Sequence, residues 1–210
     1  WLTDLKDARK RAFEEKKDVY VVFLATEISG ACVQFKKRVL SQDLFQAAIA
    51  DRFIPVLIDV PLKQTPGVIS PLAANRVVAE NFGVVRYPTT FFLNSKGIVY
   101  ARETGAAINE PLKYAAKVIR RSKDQVARLK LIEEAYKQDG LERAKSLIAL
   151  IKSTPRGADP SLSAEHLEEL AKLDPGDSLG FRKDHLAETG FTDLDRAIKE
   201  VFHKDSYDQV

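Results

Sequence analysis

From Val19 to Ala25 the chain reads V-Y-V-V-F-L-A, with no charged or amide residue. A β-branched and aromatic run of this kind predicts a strand buried on both faces. Ahead of it, Leu5, Ala8, Ala12 and Phe13 recur at helical spacing and predict a first helix. Thr3 is placed to cap it. Asp4 and Asp7 lie in its first turn, and Lys16 and Lys17 at its end, which suits the helix dipole. After a short polar loop, Cys32, Phe35, Val39 and Leu40 mark the apolar stripe of a second helix starting near Ser29, with Lys36, Lys37 and Arg38 outside. Ser41 is a break or kink, beyond which Leu44, Phe45, Ala48 and Ile49 continue the apolar face. Arg52 to Val60 reads as a second strand, and Pro55 within it points to an edge or a bulge.

Pro61 to Pro71 holds three prolines and a glycine and reads as an inserted loop. A helix follows from Leu72 to Phe82, stopped by Gly83. Thr89 to Leu93 and Ile98 to Arg102 are strands joined by a hairpin turn at Asn94-Ser95-Lys96-Gly97. Asn109 caps a helix running to about Arg121. The order αβαβαββα implies a mixed sheet of about four strands flanked by helices: a right-handed βαβ crossover gives the parallel pair, and the hairpin adds antiparallel strands. Past Arg121 the pattern is helical throughout. Val126, Leu129, Ile132, Ala135 and Tyr136 outline one helix, broken at Asp139-Gly140, and Leu141 to Ile151 outline the next. Beyond a Pro/Gly linker, a third tail helix opens at Ser161 or Ser163 and closes at Asp174-Pro175-Gly176. Two more are expected, one carrying Leu179, Phe181, Leu186 and Ala187, the last starting at Thr192. The expected organisation is an α/β domain, 1–122, and an all-α helical-hairpin region, 123–210.

Composition narrows the function classes. The 210 residues are 45% hydrophobic and 30% charged, which suits a packed core and not a disordered chain. No apolar run is long enough to cross a bilayer, and no signal peptide is visible. The chain opens at Trp1 without an initiator Met, so a leader removed by processing or trimming is one expectation. The net charge of +3 is too small to argue for nucleic acid. It is unevenly spread: residues 1–122 carry 19 basic and 12 acidic residues, a net +7, and the remainder 14 and 18, a net −4. That asymmetry favours docking of the two parts and a basic face on the first for acidic partners. His166, His185 and His203 lie far apart without ligand spacing, so no metal is expected, and no phosphate-cradling glycine loop points to another cofactor.

The candidate chemistry centres on Cys32, the only cysteine. Strand, loop and a cysteine near a helix start is the usual staging of thiol chemistry, because the helix N-terminus stabilises a thiolate. A lone cysteine excludes an internal disulfide. The stretch F23-L-A-T-E-I-S29-G-A-C32-V-Q-F-K-K-R-V-L40 resembles the site of thioredoxin-like proteins of the exported, disulfide-isomerase type, F-T-G-S-D-W-C-x-x-C-K-K-L-x-x-x-V-L, without a gap. Val84-Val85-Arg86-Tyr87-Pro88-Thr89 is similar to the family's G-V-x-x-Y-P-T, and Asn94 to Gly97 to its hairpin turn. Asp174-Pro175-Gly176-Asp177 is weakly similar to tetratricopeptide-type helix junctions. The resemblance implies a thioredoxin fold over 1–122, a cis peptide before Pro88 and an exported, periplasmic setting, with a cytoplasmic one as the alternative.

It also marks departures. Cys32 takes the place of the second family cysteine and Ser29 that of the first, Val22 stands where many relatives keep a buried acid, and Ile28 replaces the aromatic before the first cysteine. Ser29 cannot form a mixed disulfide, so dithiol exchange within the site is chemically excluded. The expected function is therefore a protein- or peptide-binding, chaperone-like module. An extended peptide would lie at the Pro88 loop against Tyr87, Ile28, Gly30 and Ala31, and a further protein would dock on the helical tail. The alternative is an enzyme in which Cys32 acts as a monothiol in thiol–disulfide exchange, with Glu27 as a neighbouring base. A third reading makes the α/β part a scaffold for the tail.

Overall fold

A computed structural model describes residues 1–61, 73–106, 110–155, 157–159 and 161–181. The chain divides into two compact units, Trp1–Asp124 and Gln125–Val210.

The first unit is built on a four-stranded sheet in the order β2-β1-β3-β4, from β1 (Asp18–Leu24), β2 (Phe53–Asp59), β3 (Thr89–Leu93) and β4 (Val99–Thr104). β1 pairs parallel with β2 and antiparallel with β3, which pairs antiparallel with β4. β1 lies inside the sheet and is covered on both faces, which is why its sequence shows no alternation. Val19, Val21 and Phe23 face a core that includes Ala8 and Ala12 of α1 (Leu5–Glu15) and Ala79 of α4 (Ala73–Asn81). On the opposite face, Tyr20 meets the rings of Trp1, Phe45, Phe53 and Phe92, and its hydroxyl donates to that of Tyr114 at 3.2 Å. Pro55 sits in edge strand β2, and its carbonyl accepts from Leu2 N–H at 2.9 Å. Its ring nitrogen faces the same outer edge, so the β1 ladder loses no donor.

Two details of the first helices differ from expectation. Asp4, not Thr3, caps α1, accepting from Asp7 N–H at 3.0 Å, because the carboxylate of Asp4 reaches the free first-turn donor from one position closer. Phe13 is 69% exposed: it lies a quarter-turn from Ala12, beyond the stripe of Leu5, Ala8 and Ala12. Leu44 of α3 (Asp43–Ile49) is likewise exposed, since Phe45 and Ile49 alone fill the inward face one turn apart.

The helix that starts at Ser29 is short. α2 (Gly30–Phe35) passes into one π-helical turn over Lys36–Leu40, and Ser41 N–H donates to Lys36 C=O at 2.9 Å. The wider turn lets Val39 and Leu40 both point inward. Trp1 Nε1 and Gln46 Nε2 donate to Leu40 C=O at 3.1 and 3.0 Å, and Gln42 Nε2 to Lys37 C=O at 2.8 Å. Those side chains satisfy carbonyls that a helix end leaves unpaired. The loop after Pro61, the cap at Asn109 and the helices placed beyond Phe181 lie outside the described residues.

The expected break after Arg121 is absent. α5 runs unbroken from Pro111 to Ala135, because no glycine or proline interrupts that span and most of its residues favour helix. Glu103 of β4 holds its first half by ion pairs to Lys117 (2.6 Å) and Arg121 (2.8 Å). In the second unit, α6 (Gly140–Lys152) and α7 (Ser161–Leu173) share a core of Ala135, Ala144, Leu147, Leu150, Ile151, Leu167, Leu170 and Phe181. The buried line of α5 there runs through Gln125, Arg128 and Ala135, while Val126 and Leu129 are exposed. Val126 and Leu129 thus fall one residue off the buried line, whereas Ile132 and Ala135 pack inward as their spacing predicts. Arg128 is retained inside because Nη1 donates to Leu150 C=O and to Ser153 Oγ (2.9 Å), at the α6 C-terminus.

Candidate functional site

The ends of three strands create the site. Phe23 pairs with Thr89 and Leu24 with Asp59, so the segments following β1 and β2 and the one preceding β3 meet at one rim of the sheet. From that rim the chain turns through Thr26 to Ile28 into α2. Ser29 N–H donates to Ala25 C=O at 3.0 Å, closing the turn. Ser29 Oγ then accepts from Cys32 N–H at 3.3 Å and caps the helix. The helix expected to start near Ser29 thus begins with that residue as its cap.

Asp59 fixes the loop from the other side. Its carboxylate accepts from Thr26 N–H at 3.0 Å and from Thr26 Oγ1 at 2.6 Å, with Lys36 Nζ 3.6 Å away. Asn75 Nδ2 donates to the Asp59 carbonyl at 2.9 Å. Thr26 and Asp59 were not among the residues expected at the site. Their sequence signal is slight: a threonine in the loop and an acid closing the second apolar run.

Cys32 has no solvent exposure, and Ala25 N–H points to its Sγ at 3.5 Å. The thiol therefore faces the sheet rather than the loop mouth. Tyr87 is half-buried beside it. Burial raises the Tyr87 phenol above its ordinary range; Arg76 opposes the rise and Glu80 adds to it. The Tyr87–Pro88 peptide bond is cis and Pro88 is buried. The Pro88 carbonyl accepts from Gly105 N–H at 2.8 Å. Among the described residues, no hydrogen bond engages the backbone N–H or carbonyl of Tyr87.

Around this closed interior the surface is open. Ile28 is 57% exposed and Val85 81%, while Gly30 and Ala31 also face solvent. A Cβ built on Gly30 would meet nothing within 4 Å. Val85, beside the buried Val84, figures in the sequence only as part of the motif before Pro88, which gives no sign of its exposure. Past Ser29, an open depression of about 510 Å³ is lined by Thr26, Val33, Lys36, Lys37, Ser41 and Gln42.

No histidine occurs in residues 1–122, so that part of the chain supplies no imidazole to activate Ser29. Among the described residues, no group of three potential metal ligands comes together, and no helix is long and apolar enough to cross a membrane.

The profile of a protein family described as a thioredoxin-like domain matches residues 5–118. Among solved structures, the DsbH oxidoreductase aligns at 17% identity and a TM-score of 0.50, over 59% of this chain and 84% of that one. The oxidised C-terminal domain of Neisseria meningitidis DsbD aligns at 19% identity and 0.41, over 57% and 97%. The exposed lipoprotein thioredoxin Etrx1 of Streptococcus pneumoniae aligns at 18% and 0.35, over 49% and 86%. At these identities the likeness is one of fold. No curated protein matches the chain in sequence.

Proposed function

Since residues 5–118 make the chain a member of the thioredoxin-like domain family, we propose that it is a non-redox member which binds extended peptide segments of other proteins at the rim between Ser29 and Tyr87. The family ties it to thiol–disulfide-related function in general. The finer reading rests on one observation: the sole cysteine is sealed at zero exposure, while Ile28 at the helix start and Val85 in the segment before Tyr87 stay exposed. Exchange requires a thiolate that an incoming disulfide can reach in line, and Ser29, at the more exposed position, holds oxygen in place of sulfur. Binding needs neither. The N–H and carbonyl of Tyr87, unengaged among the described residues, offer an extended chain one donor and one acceptor, as in strand addition, and exposed valine and isoleucine offer apolar contact. Monothiol exchange through Cys32 would require the α2 start to open first.

An insulin-reduction assay with dithiothreitol, run beside peptide-array binding, tests the proposal. The expected outcome is background reduction for the wild type and for Cys32→Ala alike, with array binding that Cys32→Ala leaves intact and Val85→Asp weakens at least about fivefold. Reduction above background that vanishes in Cys32→Ala would overturn it. The resemblance to exported relatives supports an extracytoplasmic setting, which fractionation of a tagged chain in its native host would test.

A further inference from the structure

If extended peptides bind beside Ser29, as proposed above, the surface next to it dictates their charge: we infer that the bound segment is acidic, with carboxylates lying along the α2 face at Lys36 and Lys37 and an apolar residue against Ile28 and Val33. Three observations carry this. First, the geometry is continuous. Val33 lies four residues beyond Ser29, and Lys36 and Lys37 lie three and four beyond Val33 in the π turn that continues α2, so the four border one side of the helix leading from the site. Val33 is 41% exposed, and the stripe borders the depression of about 510 Å³, within the roughly 300–1,000 Å³ of ligand clefts.

Second, the charge is one-sided. Lys36, Lys37 and Arg38 are consecutive, and Lys37 makes no ion pair among the described residues. The nearby carboxylate, Asp59, already accepts two hydrogen bonds from Thr26 and faces Lys36. It therefore offsets one of the three cations and leaves a net positive edge. Third, the remaining lining groups, Thr26, Ser41 and Gln42, are uncharged hydrogen-bonding residues, which suit a polar peptide and repel neither sign.

Fluorescence anisotropy with three labelled peptides tests this. They share length and one central valine, and carry Glu, Ser or Lys at the same two flanking positions. On the full chain at low salt, the Glu peptide is expected to bind about tenfold more tightly than the Ser peptide and the Lys peptide more weakly than either, the spread shrinking severalfold near 0.5 M salt. Lys37→Glu should bring the ratio of Glu-peptide to Ser-peptide affinity to about one or below. Val85→Asp should weaken all three. Equal binding of the Glu and Ser peptides, or a Glu preference that survives Lys37→Glu, overturns the inference and leaves peptide binding standing. Failure of every peptide to bind overturns both.

Discussion

At the scale of single residues, two neighbours on one short helix carry opposite burdens. Ser29 is half-buried and spends its oxygen on capping, while Cys32 is closed off by the turn that Ser29 initiates. Cys32 should therefore resist labelling by a thiol reagent in the folded protein and react at once in denaturant. Rapid labelling under native conditions would show that the α2 start opens. Cys32→Ala removes only a small buried sulfur and should cost about 1–2 kcal/mol, read from urea unfolding. Ser29→Cys makes a sharper test. It restores a cysteine pair three apart at a helix start. The variant should form a reversible disulfide between the introduced thiol and Cys32, detected by mass, and show insulin reductase activity above that of the wild type. A Ser29→Cys protein that forms no disulfide would mean that the two positions are not held as the family's register requires.

The elements show where periodicity informs and where it misleads. α1, α6 and α7 have stripes that core packing respects, apart from Phe13 at the margin of α1. α5 does not. Its buried line between Ser122 and Arg128 is polar, so a search for apolar spacing selects Val126 and Leu129, which are exposed. Arg128 illustrates the energetics. Burial lowers its guanidinium pKa, and Nε and Nη2 have no hydrogen-bond partner among the described residues. A buried cation met only in part stabilises little relative to an apolar side chain of similar length. Arg128→Met should therefore unfold within about 1 kcal/mol of wild type or later, whereas Arg128→Ala should cost about 2–4 kcal/mol through the void it leaves. Thermal denaturation of both variants separates cavity from charge. A large loss in Arg128→Met would show that the bonds to Leu150 and Ser153 dominate.

For the whole molecule, pH bears on the two units with opposite sign. In the first, burial raises the Asp18 carboxyl above 3.8, against hydrogen bonds from Tyr100 (2.8 Å) and Ser122 and the charge of Arg52. A raised folded pKa gives stability that is complete below the unfolded value and lost as pH rises through the folded one. Asp18→Asn should thus match wild type in strong acid and overtake it toward neutrality. In the second unit, His166 is pushed below 6.5, first by burial and then by Arg128, with Tyr136 Oη 3.3 Å from its Nδ1. A lowered folded pKa gives stability present above 6.5 and lost as pH falls through the folded value. His166→Gln should flatten that acid-side decline. Urea midpoints across pH for each variant check both signs, and parallel curves for variant and wild type would refute them.

The sequence alone determined the sheet and the order of strands and helices from α1 to β4. A strand buried on both faces, a cap at Ser29, a turn at Asn94-Gly97 and a break at Asp139-Gly140 are each written in side chains that act on their immediate neighbours. Chemistry that lone residues forbid was also settled there, since one sulfur cannot make an internal disulfide. Tertiary structure decided what depends on distant partners. It set the exposure of Val85 against Val84, the hold of Asp59 on Thr26, the polar line inside α5, and above all the direction in which Cys32 points. Burial is a property of what the rest of the chain places over a residue, and no local pattern encodes it.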